Sequence, residues 1–166
     1  MAKIGLLLFL LLAVTVLRAE EGVPFPLTVP EALFVSVGAG QHGHSYTAVF
    51  DGKGLAYFQV GGKAAEKVII HPKPEAWRKF MGRMNDLKVY CWAADYALPK
   101  SAVSQGTQWI LLLRSGGQTV KSKGGGSFPA EDASFSQHIF DQFCHAVSDL
   151  TGKPFPARVP IVPPGA

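Results

Sequence analysis

The sequence predicts an α+β domain: an antiparallel sheet built from two hairpins, with two helices packed on one face. Three observations lead there. Alternating apolar and polar runs flank short glycine turns in two places, and such pairs form hairpins because side chains alternate faces along a strand. Two longer stretches repeat their apolar residues at helical spacing. The helical stretches come after groups of strands instead of single strands, which argues against the crossovers of a doubly wound parallel sheet.

Leu33 to Val37 is β-branched and aromatic and reads as a strand. Tyr46, Ala48 and Phe50 alternate with Thr47 and Val49, Asp51-Gly52-Lys53-Gly54 turns the chain, and Leu55 to Val60 resumes the alternation. Lys67 to Ile70 adds a short strand. Pro74 opens a helix, because proline's missing N–H costs nothing in the first turn. Trp77, Phe80, Met81, Met84 and Leu87 then form one apolar stripe, with Arg78, Lys79, Arg83 and Asp86 elsewhere. Val89 to Ala93 reads as extended and Ala94 to Gly106 as a loop.

Gln108 to Arg114 is the most hydrophobic strand, and its apolar residues at successive positions predict a central strand covered on both faces. Ser115-Gly116-Gly117 returns the chain into Gln118 to Lys123, whose polar alternation predicts an edge strand facing water. The second helix runs from about Asp132 to Leu150, with Phe135, Ile139, Phe143, Ala146, Val147 and Leu150 on one side; Gly152 and Pro154 end it.

The ends of the chain speak about compartment. Lys3, an apolar run from Ile4 to Leu17 and Ala19 ahead of Glu20-Glu21 have the anatomy of a secretory signal peptide. The run is shorter than the about 20 residues a spanning helix needs, so cleavage after Ala19 is expected, with an uncleaved anchor as the other reading. The expected organisation is a signal over 1–19, a proline-rich extended leader over 20–31, one domain over 32–152 and a proline-rich extended tail over 153–166. The product would be secreted or periplasmic, with no stable membrane insertion after cleavage. Lys3 and Arg18 leave with the signal, which carries no acid, so the formal net charge falls from +4 to +2. No Lys/Arg cluster tracks a phosphate backbone, and no nucleic-acid partner is expected. The one asparagine, Asn85, precedes Asp86-Leu87 and is no glycosylation acceptor.

Two cysteines, Cys91 and Cys144, form an even set that export would favour as a disulfide; two free thiols are the other reading. Gly38-Ala39-Gly40-Gln41-His42-Gly43 matches G-x-G-x-x-G after a strand. A dinucleotide site needs a helix next, whose N-terminus holds the pyrophosphate, and here an alternating strand comes instead. His42 and His44 form an H-x-H pair that could face one metal ion, although a closed site needs three or four ligands. No serine lies in a G-x-S-x-G elbow. Cys144 and His145 are adjacent on a helix, so their side chains diverge by about 100° and cannot act as nucleophile and base together. No catalytic set and no cofactor are expected.

The succession of a strand, a glycine-rich loop ending Gly43-His44-Ser45-Tyr46, a D-G hairpin, a helix, a hydrophobic strand turning at Ser115-Gly116-Gly117 and a last helix resembles small exported bacterial domains. Among them it resembles the emfourin-type inhibitors of thermolysin-like metalloproteases, over about Leu33 to Leu150. That resemblance implies an inhibitory role carried by the loop after the first strand. The expectation is thus a non-catalytic exported binding module, its partner another exported protein, its contact loop Gly38, Gly40, His42, Gly43 and His44. The alternative is an exported metal-binding protein using His42 and His44.

Overall fold

The computed structural model describes residues 22–39, 44–61, 65–97, 107–129 and 136–157. The chain order is β1 (Ala32–Gly38), β2 (Ser45–Phe50), β3 (Leu55–Val60), β4 (Glu66–Ile70), α1 (Pro74–Asp86), β5 (Tyr96–Ala97), β6 (Gln108–Ser115), β7 (Gln118–Gly125) and α2 (Ser136–Thr151). The strands form one sheet in the order β4-β3-β2-β1-β6-β7-β5. All neighbours are antiparallel except the two-residue β5, which runs parallel to β7. The architecture is α+β, as the alternation predicts. The first four strands form a meander, and the β6–β7 hairpin joins it through β1, which pairs with β2 on one side and β6 on the other.

The turns explain the register. Gly116 and Gly117 both have positive φ, 59° and 77°, which the two-residue turn between Ser115 and Gln118 requires for its twist to match the strands. At the D-G turn the Lys53 N–H donates to Asp51 Oδ1 at 3.1 Å. Gly152, with φ 62°, ends α2 in the left-handed conformation, and its N–H donates to the Ser148 carbonyl at 2.8 Å.

Both helices contribute to a core on one sheet face. Trp77, Phe80, Met81 and Met84 bury the predicted stripe of α1. From α2 come Phe143, Ala146, Val147 and Leu150, together with Phe140, which the stripe read from the sequence omits. Phe135 lies outside the described residues. Ring contacts knit the layers: Phe50 meets Trp77 at 4.7 Å between centroids and Trp109 meets Phe140 at 5.1 Å. The leader is tied down by Phe25, whose N–H donates to Asn85 Oδ1 while Asn85 Nδ2 donates to its carbonyl, both at 2.8 Å. The start of the tail is tied by Phe155, which is buried against Tyr46; the Tyr57 hydroxyl donates to the Pro154 carbonyl at 2.7 Å.

Three expectations are corrected. Val89–Cys91 is a 3-10 turn instead of an extended segment, entered through Lys88 at φ 49°. Cys91 and Cys144 are free thiols: Cys91 is exposed on that turn and Cys144 is fully buried on α2. Bonded sulfurs share one environment, about 2 Å apart, and these two do not. Finally, β6 is not covered on both faces. Its burial alternates, with Trp109, Leu111 and Leu113 enclosed and Ile110 51% exposed. Both helices lie on the same side, so an apolar outward residue remains at the surface.

Candidate functional site

The expected contact loop is only partly within the described residues. Gly38 ends β1 opposite Ser45, and His44 leads into β2. Gly40, Gln41, His42 and Gly43 lie outside them, as does any joint action of His42 with His44. The element after the glycine run is the strand β2, where a dinucleotide site needs a helix. His44 is half-buried over Gly61, whose φ of 143° suits glycine. A Cβ there would overlap the imidazole. The His44 Nδ1 is enclosed with no hydrogen-bond partner among the described residues.

The other described histidines are elsewhere. His71 comes after β4, beside Gly54. His138 hydrogen-bonds Gln142 at 2.7 Å on α2, and His145 borders the groove between the helices. Among the described residues no three His, Cys, Asp or Glu side chains converge as metal ligands. The groove between α1 and α2 encloses about 420 Å³. Its charges are engaged with one another: Lys79 pairs with Asp149 at 2.8 Å and Arg83 with Asp86 at 3.7 Å. The Lys79 hydrogen bond holds the Asp149 carboxyl below its ordinary pKa, favouring the ionised form.

Among the described residues, no helix packs on the outer face of the sheet. Strand registers place two rows across it. One row reads Ile69, Ala56, Val49, Phe34, Leu112 and Lys121 from β4 to β7. The next reads Lys67, Phe58, Thr47, Ser36, Ile110 and Lys123. Ile69 and Ile110 are 52% and 51% exposed, whereas Phe34, Val49, Phe58 and Leu112 are half-buried among their neighbours. The two polar groups in the middle satisfy each other, since Ser36 Oγ and Thr47 Oγ1 are 2.9 Å apart. At about 4.8 Å between strands and about 3.3 Å per residue, the apolar centre covers about 300 Å². A shallow depression of about 420 Å³ lies at its β2–β4 side, near His71 and the D-G turn.

Charge is confined to the margins. Lys67 stands over the Phe58 ring at 5.5 Å, on the β4 side. Lys121 and Lys123 border the β7 side, where Lys123 pairs with Asp95 at 3.2 Å. Arg114 lies beyond Leu112 on the same face. The centre of the face is thus uncharged and largely apolar, and charge lies at its rim. At one end of the face Gly38, Ser45 and exposed Val60 share one outward row.

Sequence reasoning misses this face because apolar residues at consecutive positions of β6 read as cover on both sides. The signal is present in Lys121 and Lys123, two apart and therefore on one face, opposite Leu112 and Ile110. No helix among the described residues is long and apolar enough to cross a membrane. Comparison of the chain with family models, curated proteins and solved structures finds no match. The class that the fold defines is an α+β domain with one sheet face packed by helices and, among the described residues, the other left uncovered.

Proposed function

We propose that this protein is an exported, non-catalytic binding module that holds a protein partner on the open face of its sheet. The observation that carries the reading is the apolar centre running from Ile69 to Ile110 across five strands, with charge only at its rim. Burying it removes apolar area from water at about 25 cal/mol per Å². It leaves no orphaned polar side chain, because Ser36 and Thr47 already bond each other. Gly38, Ser45 and Val60, at the strand ends next to the glycine-rich segment, extend the surface at one end. Inhibition of a metalloprotease, which the emfourin resemblance implies, is one form this binding takes.

The test uses the exported fraction of the source organism. Immobilised protein should retain a discrete partner that an Ile110→Glu, Phe58→Glu variant of unchanged circular dichroism does not. Retention of the same partner by that variant would refute the assignment of the surface.

A further inference from the structure

We infer that the open face takes a protein partner whose apolar strip is bordered by carboxylates on both flanks. The inference rests on the binding-module reading and adds the partner's chemistry. Cations predominate on both flanks of the apolar centre: Lys67 on β4, with Lys53 and Asp51 near it at the D-G turn, and Lys121 and Lys123 on β7, the latter paired with Asp95, with Arg114 at one corner. Lys121 and Arg114 have no carboxylate partner among the described residues, where the ion pairs at this face involve Lys123 alone. The flanking columns are separated by five strand spacings, about 24 Å. A complementary surface therefore carries acids about that far apart, with an uncharged apolar strip between them. Complementary rims of this kind steer encounter and set register more than they add affinity.

A second copy of this chain does not satisfy that pattern. Face-to-face copies related by a twofold axis parallel to the strands would set Lys67 against the Lys121–Lys123 flank. A twofold perpendicular to the strands would set each flank against itself. In both arrangements lysine faces lysine, and like charges juxtaposed across an interface disfavour association. The apolar centre of about 300 Å² is also small beside the about 800 Å² per partner of a stable pair, so the rim must contribute and cannot be repulsive. An anionic membrane fits the charge and not the shape. Interfacial insertion needs an apolar element reaching about 5–10 Å into the boundary. Here Phe34, Val49, Phe58 and Leu112 lie level in a sheet, half-buried by one another.

The experiment maps amide shifts of the isotope-labelled protein against three blocked peptides sharing one Leu/Phe strip, flanked by glutamate, glutamine or lysine. Vesicles of phosphatidylglycerol and phosphatidylcholine, and sedimentation of the protein alone, run beside them. The glutamate peptide should shift amides of β1, β2 and β6 and bind at least tenfold more tightly than the glutamine peptide. Lys67→Glu, Lys121→Glu should remove that tenfold advantage, and the milder Lys67→Gln, Lys121→Gln should lower it with the thermal midpoint unchanged. Equal binding of the glutamate and glutamine peptides at this face would overturn the acidic partner and leave the binding surface standing. No shift with any peptide would overturn both. Binding to vesicles alone, or dimerisation blocked by Ile110→Glu, would replace the acidic protein with a membrane or a second copy.

Discussion

Adjacent residues of β6 give the sharpest test of an open sheet face. Ile110 and Leu111 share a strand and a composition, but Ile110 is 51% exposed and Leu111 is 1% exposed. Either change to alanine removes three carbon groups. At about 0.8 kcal/mol per buried CH₂, Leu111→Ala loses about 2.4 kcal/mol of transfer energy, and the cavity left in the core brings the cost to about 3–5 kcal/mol. For Ile110→Ala half of the transfer counts and solvent fills the space, so the cost is about 1.2 kcal/mol. Lost strand propensity adds to both. With a urea slope of about 1.5 kcal/mol per M, the midpoints should fall by about 0.8 M for Ile110→Ala and about 2 M or more for Leu111→Ala. Equal shifts of the larger size would mean that both faces of β6 are covered, and the reasoning about the surface would fail.

Other outcomes rest on individual side chains. Burial pushes the Cys144 thiol well above its ordinary pKa, so a maleimide should label Cys91 in the native protein and Cys144 only after unfolding; a non-reducing digest that joins the two would restore the disulfide. Tyr57→Phe removes the 2.7 Å bond to Pro154 and should cost about 1–1.5 kcal/mol in urea titration, with the tail more open to proteolysis. Burial first, then Tyr46 and Glu66, push the Tyr57 phenol up to about 12 from 10.0. Its contribution to stability is complete below pH 10 and lost as pH rises through about 12, and the Phe variant should lack that step. Asp149, lowered by its Lys79 hydrogen bond, contributes above its unfolded pKa and loses that contribution as pH falls through the folded one. Because both side chains are more than half exposed, Lys79→Ala should cost no more than about 0.5 kcal/mol and less in high salt. Intact mass of the exported protein should place its N-terminus near Glu20; a retained Met1 would indicate an anchor.

The features legible in the sequence are local. The D-G and S-G-G turns fix hairpins because their glycines take φ values other residues avoid, and the α1 stripe is a matter of period alone. The features that are not legible depend on tertiary placement. Nothing in β6 says whether helices pack on one side or both, so Ile110 reads as core until both helices are seen to share a face. Cys91 and Cys144 can be paired on compartment grounds, but Lys88 in the left-handed conformation turns the chain into a 3-10 segment that leaves Cys91 exposed. Phe140 escapes the α2 stripe although its ring packs on Trp109, Phe128 and Phe143. The loop residues Gly40, His42 and Gly43 lie outside the described residues, whereas His44 is set by its contact with Gly61.

The most direct measurement of the central claim is site-specific photo-crosslinking in the source organism. A benzophenone side chain placed at Ile110, on the open face, is compared with one at Arg78, exposed on α1. A discrete adduct with a different exported protein is expected from position 110 and none from position 78. An adduct from position 78 alone, or only uncrosslinked protein from position 110, would contradict it.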